Sequence, residues 1–374
     1  NVNAANQPQI DVSRAADAYS RHAATAGAAS LGHALAGIAD VALGDMQELL
    51  AALDWSARDG GVVRQALDQL GPEAYDASAR AALAQQAEFN VLLLRRMLGN
   101  LQAGRSLTAI PNNRPDAPDA DSWQAWATPY GAGSWQGSRG DASGWQSTGI
   151  GLLAGMDRRF DSGLALGFQV GLAARRTSVT GAHDATAETQ SALAGIHGLL
   201  APEDWNGFYL TAQARLGLED GEMNRTVAFN GYVRHNESRW TGLTGSALLG
   251  GGKDWTLSAG DGLLHVGPTG WMEYAFLRRP GISESDGEAS RLHIDARTYE
   301  SLQLSLGAHA GWSTELENGS GLGLDVLAAW RHELLDGTFH TAAAFRDYGD
   351  RGFRSSTDLT GRDALLVQGS LRLT

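Results

Sequence analysis

From Trp123 onward the sequence alternates apolar and small or polar residues over runs of ten or more, and this limits its fold more than any other feature. Leu164, Leu166, Phe168, Val170 and Leu172 alternate with Ala165, Gly167, Gln169, Gly171 and Ala173. Phe208, Leu210, Ala212, Ala214, Leu216 and Leu218 alternate with Tyr209, Thr211, Gln213, Arg215, Gly217 and Glu219. Leu302, Leu304, Leu306, Ala308, Ala310 and Trp312 repeat the pattern, as do Leu365, Val367, Gly369, Leu371 and Leu373 near the end. A period of two describes a strand with two unlike faces. Strands of globular sheets run to about five or six residues, whereas a tilted strand needs roughly 9–11 to cross a bilayer.

The connections alternate as well. Short turns at "FDSG" (160–163), "PEDWNG" (202–207), "SAGDG" (258–262) and "ENGSG" (317–321) separate longer polar stretches such as "LEDGEMNRTVAFNGYVRHNES" and "RRPGISESDGEASRLHIDART". Trp123, Trp126, Trp145, Trp205, Trp240, Trp271, Trp312 and Trp330 fall mostly near the ends of runs, where interfacial aromatic girdles sit. Short turns on one rim and long loops on the other describe an outer-membrane barrel. In hydrocarbon every backbone N–H and C=O must be paired, so such a sheet has to close. The expectation is a mainly β chain forming an antiparallel transmembrane β-barrel, its apolar face on lipid. Gly, Ser, Gln, Thr, Arg and Glu would line an interior that is wet or filled by protein. A soluble sandwich also alternates, but with shorter strands and turns every 8–12 residues or so.

Composition narrows the function classes. A net charge of −13 argues against nucleic acid as a partner, since phosphate contacts need excess Lys and Arg. The chain has no cysteine, which removes disulfides and thiolate metal sites and suits a protein that crosses an envelope unfolded. No apolar run reaches the length of a transmembrane helix. Asn1 opens without a signal peptide, so a processed or partial chain is expected.

Before about residue 115 the period is helical. Leu31, Leu35, Ile38, Met46, Leu49, Leu50 and Leu53 fit one helical face, and a second helix is expected from about Asp76 to Leu101. "IPNNRPDAPDADS" then breaks it. The division read from this is 1–74 as a helical passenger remnant or stalk, 75–122 as linker helix and Pro-rich linker, and 123–374 as the barrel. Ten strands are expected, at about 123–138, 144–159, 164–180, 186–201, 207–222, 237–255, 263–279, 296–316, 322–335 and 361–374.

Catalytic signals are weak. "GGGKDW" (250–255) lacks the first glycine and the Ser/Thr of a phosphate loop and lies at a strand end. No G-x-S-x-G or H-E-x-x-H occurs, "WRHE" (330–333) lacks a second carboxylate, and the histidines are scattered. His197 and His309 read as pore-wall or rim residues. No catalytic residue, metal site or cofactor is assigned. Two features carry more. In "AEFNVLLLRRMLGN", Glu88, Asn90, Arg95, Arg96 and Asn100 are the candidates to meet charged lumen groups if this helix threads the pore; the alternative is a helix packed beneath the barrel. Asn112-Asn113 is a secondary candidate for cleavage, because asparagine can attack its own carbonyl, but "PNNRP" reads first as a turn.

These segments together resemble the translocator domain of autotransporters, the type V self-secreting proteins of Gram-negative bacteria. "ALDQLGPEAYDASARAAL" (66–83) resembles the segment that precedes such barrels, and "FNVLLLRRMLGNL" the linker helix held in the pore. "WATPYGAGSWQ" (126–136) resembles the first strand; "AAWRHELLDG" (328–337) and "GRDALLVQGSL" (361–371) resemble late strands. The resemblance implies a 12-stranded barrel in the outer membrane that anchors and helps export an N-terminal passenger to the cell surface, its pore then occluded by the linker helix. It implies as partners the passenger, the barrel assembly machinery, periplasmic chaperones and outer-membrane lipid. Members that cleave their pore helix do so at an Asn-Asn pair, whereas the matching helix here reads Asn90-Val91-Leu92. The family's last hairpin, ending in an aromatic residue, has no counterpart after Leu365–Leu373, so either a hairpin is missing or this is the final strand; the missing hairpin is the expectation, because an open edge is unstable in lipid. The competing readings are a passive outer-membrane channel and the membrane anchor of a surface enzyme whose catalytic domain lies elsewhere.

Overall fold

The computed structural model describes residues 14–56, 60–109, 123–138, 143–181, 184–315, 321–357 and 361–373. Four helices come first: α1 (Ala26–Ile38), α2 (Asp45–Asp54), α3 (Gly61–Leu70) and α4 (Glu73–Ala109). The strands are β1 (Trp123–Gln136), β2 (Gly144–Arg159), β3 (Leu164–Thr180), β4 (Asp184–Leu200), β5 (Phe208–Phe229), β6 (Tyr232–Lys253), β7 (Trp255–Ala259) and β8 (Gly262–Arg279). After them come β9 (Ile282–Ser283), β10 (Leu292–Ile294), β11 (Arg297–Glu315), β12 (Gly321–Glu333), β13 (Phe339–Phe345), β14 (Phe353–Thr357) and β15 (Asp363–Leu373).

The long strands form one antiparallel sheet in the order β1-β2-β3-β4-β5-β6-β8-β11-β12-β15, with β7 also on β8. Sequential neighbours pair throughout, as in an up-and-down meander. The sheet curls around α4, which touches β2, β3, β4, β6, β8 and β11. Among the described residues, β1 and β15 do not pair with each other.

Side chains divide as the period of two requires. On β5, Phe208, Leu210, Leu216 and Leu218 point out and are exposed, while Thr211, Gln213, Arg215 and Glu219 point in and are buried. The outward apolar run Phe208–Leu218 is followed by outward Asp220, Glu222 and Asn224. Eleven residues rising about 3.3 Å each at a tilt of about 45° cover roughly 26 Å, the height of an outer-membrane apolar band. The remainder of β5 and β6 therefore stands above the headgroups. Leu216→Arg, within the band, is expected to cost about 2–4 kcal/mol of folding stability in vesicles, whereas Asn224→Arg should stay within about 0.5 kcal/mol. Denaturant titration of refolding into vesicles separates the two.

Four expectations change. The stretch read as one long loop around 219–238 is a continuation of the β5–β6 hairpin: Phe229 pairs with Tyr232, and Asn230 and Gly231 take φ of 43° and 81°. An Asn-Gly pair with both φ positive is the two-residue turn that matches strand twist. The helical face from Leu31 to Leu53 belongs to two helices, broken at Gly44 with φ of 55°, though all seven residues are buried as one core. The second helix is longer at both ends than 76–101, and α3 stands where no separate helix is expected. Trp145, Trp240 and Trp271 lie on the inward parity of their strands and are buried, so they are no part of a girdle; Trp123, Trp255 and Trp330 do face outward.

The polar stretches after β8 and β12 also fold. They contribute β9, β10, β13 and β14, a second sheet ordered β14-β13-β10-β9. This sheet, α1–α3 and the upper parts of β5 and β6 share one hydrophobic core, including Leu35, Leu49, Leu67, Val227, Leu292 and Phe345. That core is a cap over the long-loop mouth, and α4 runs down from it.

Candidate functional site: the lumen helix

At about 1.5 Å per residue α4 spans roughly 55 Å. No helix among the described residues is long and apolar enough to cross a membrane itself. Yet α4 is buried nearly all round from Glu73 to Gly99, including Gln85, Gln86 and Asn90. A helix polar around its circumference can be buried only where the surroundings are polar too. The inward parity of the strands supplies those surroundings.

Glu88 pairs with Arg175 of β3 at 2.5 Å, and Arg175 also donates to Ser147 of β2 at 3.0 Å. Asn90 is met by three side chains from two strands of the wall, β5 and β6. Its carbonyl accepts from the Gln213 amide at 2.9 Å, and its side-chain oxygen accepts from Arg215 and from Ser246 at 3.3 Å. Arg215 donates also to the Gln86 carbonyl at 3.2 Å. One and a half turns on, Arg96 pairs with Asp157 of β2 at 3.1 Å and lies 4.3 Å from the centre of the Trp126 ring. Arg95 donates to Gln368 of β15 at 3.4 Å. Asn100 lies in the same helix one turn beyond Arg96. Asn112 and Asn113 lie outside the described residues.

Apolar residues fill the remaining contact: Phe89, Leu93 and Leu94 pack with Leu153, Leu193 and Leu248 of the wall. A cavity of about 380 Å³ persists on the side of the unpaired edges, lined by Glu88, Glu273, Gln303, Arg331 and Gln368.

Asp254 was missed by sequence reasoning. Pro268 has no N–H and lies opposite the break between β6 and β7. The Asp254 N–H turns to the Gly207 carbonyl at 2.9 Å, and the carboxylate meets His309 at 2.9 Å and His265 at 3.2 Å. A proline within an alternating run was the available signal. Among the described residues no group of three or more His, Cys, Asp and Glu is arranged to hold a metal ion.

Two curated relatives, each an "Extracellular serine protease" of Serratia marcescens, are 24% identical over 217 and 215 residues. The match covers 57% of this chain and 19% of each relative, so the chain spans about a fifth of their length. Among solved structures, the translocator domain of autotransporter NalP from Neisseria meningitidis aligns with a TM-score of 0.47 and 14% identity, over 76% of this chain and 92% of that one. The beta domain of the Bordetella autotransporter BrkA aligns at 0.43 and 19% identity, over 68% and 93%. The family described as Autotransporter beta-domain matches residues 125–374, more than half of the chain. The chain therefore belongs to the autotransporter beta-domain family, and residues 125–374 are its outer-membrane translocator barrel.

Proposed function

We propose that this domain carries its attached passenger outward through the lumen and that α4 then occludes the passage. The supporting observation is the direction of α4. Its first turn lies in the cap on the long-loop side, and its later turns descend between inward-facing Arg175, Arg215 and Asp157. A segment preceding α4 would thus be on the outer face. The name of the Serratia relatives makes an extracellular protease one reading of the passenger, whose activity would reside outside this chain.

The barrel assembly machinery and periplasmic chaperones are proposed partners on physical grounds. Leu216, Val367 and Leu371 expose more than half their surface once folded and need escort before they meet lipid.

Conductance tests the occlusion. In planar bilayers the domain should pass little current, and the same domain shortened to begin at residue 110 should pass at least roughly tenfold more. Equal conductance would reject α4 as the occluding element and favour the passive channel.

A further inference from the structure

Three side chains on one face of α4, at i, i+3 and i+7, grip the β13–β14 hairpin of the cap. Ser355 donates to Glu73 at 2.8 Å; Thr341 and Thr357 donate to Asp76 at 2.6 and 2.9 Å; Arg80 donates to the Thr357 carbonyl at 2.7 Å. Glu73 also touches α1, where a Cβ on Gly27 would stand 3.2 Å from its Oε1. The second oxygen, Oε2, is buried with no hydrogen-bond partner, and a Cβ on Gly71 would come within 1.9 Å of it. This second oxygen is therefore buried against Gly71 and away from bulk water, while Ser355 serves the first.

The charged groups facing Glu73 are Asp68 of α3, Asp76 of α4 and Arg225 of β5. Arg225 is held by Glu284 at 2.6 Å, so it is already matched by another carboxylate. An ionised Glu73 thus has an unsolvated oxygen, two carboxyl neighbours and a committed cation.

We propose that the first turn of α4 is a proton-operated latch: protonated Glu73 holds the cap closed on the helix, and loss of that proton loosens α1 and the β13–β14 hairpin while the barrel keeps α4 in its lumen. Burial first, then Asp76 and Asp68, push the Glu73 carboxyl up from 4.5 to about 7, against the opposing pull of its own backbone N–H and Ser355. Asp76 is also raised by burial, with Thr341, Thr357, Arg297 and Arg80 opposing. A carboxyl raised in the closed state favours closure below its ordinary range, and that advantage is lost as pH rises through about 7. If the open cap restores the ordinary value, the open-to-closed ratio should rise about 30-fold from roughly pH 5.5 to 8.5.

The latch is separable from occlusion, because it concerns the cap alone. The chain has no cysteine, so spin labels at His33→Cys on α1 and Thr241→Cys on β6 report the cap-to-barrel distance in the full domain in vesicles. The wild type should shift from one distance to a longer population with a midpoint near pH 7, and Glu73→Gln should stay closed throughout. A pH-independent wild type, or a Glu73→Gln domain with the same midpoint, overturns the proposal. If Glu73→Gln does not fold, Ser355→Ala decides: removing the donor that favours ionised Glu73 should raise the midpoint, and an unmoved midpoint overturns the latch equally.

Discussion

Glu284→Ala is expected to destabilise the cap by about 3–5 kcal/mol, because it strands a buried guanidinium. Arg225 and Glu284 are both nearly inaccessible and form two hydrogen bonds, at 2.9 and 2.6 Å. Glu284 also accepts from the Tyr75 hydroxyl at 2.9 Å and the Leu292 N–H at 2.8 Å. Arg225 donates to the carbonyls of Gln69 and Ser290, joining α3 to the loop preceding β10. Removing the carboxylate therefore loosens α3, α4 and the small sheet together. Limited proteolysis should cut α1–α3 rapidly in the variant. The heat-dependent gel shift of the barrel should persist, because the long-strand ladder does not pass through this pair.

Arg215→Ala should act on the lumen helix instead. The guanidinium is buried and joins Asn90, Gln86 and Ser246, with the Phe89 ring 5.5 Å from its carbon. Its loss leaves the side-chain oxygen of Asn90 with Ser246 and the Gln86 carbonyl without this donor, at a cost of about 3 kcal/mol. That corresponds to roughly a 100-fold rise in the fraction of time the helix is displaced, read as open-channel dwell in bilayer recordings. Arg215→Lys should rescue little, because one ammonium cannot reproduce a planar fork spanning two helical turns and β6.

The two faces of the wall were legible because alternation in a half-buried strand is a direct record of its two solvents. Arg215 and Glu219 on one parity and Leu216 and Leu218 on the other required no tertiary information. Which lumen group meets which helix residue was not legible. The Arg96–Asp157 and Glu88–Arg175 pairs depend on the rotation and height of α4, and neither quantity is written in a local period. The cap was hidden for a different reason. β9, β10 and β14 are five residues or fewer, too short for alternation to rise above loop composition, and they fold only because α1–α3 cover them. The continued β5–β6 hairpin was the exception: Asn230-Gly231 was there to be read, but Glu219, Asp220, Glu222 and Asn224 made the stretch look like loop. Asp220, Glu222 and Asn224 are polar because the hairpin rises above the membrane, not because it ends, and Glu219 is charged because it faces inward to Arg279.

The enclosure of α4 by the translocator sheet is tested most directly by one crosslink. Asn90→Cys with Ser246→Cys places two thiols where an amide oxygen and a hydroxyl now stand 3.3 Å apart, in a chain with no other cysteine. In outer membranes of cells exporting the domain, mild oxidation should join them in most molecules. The disulfide should appear as faster gel migration lost on reduction. Failure to crosslink, together with free reaction of the Asn90→Cys thiol with a bulky water-soluble maleimide, would contradict a helix held within the lumen.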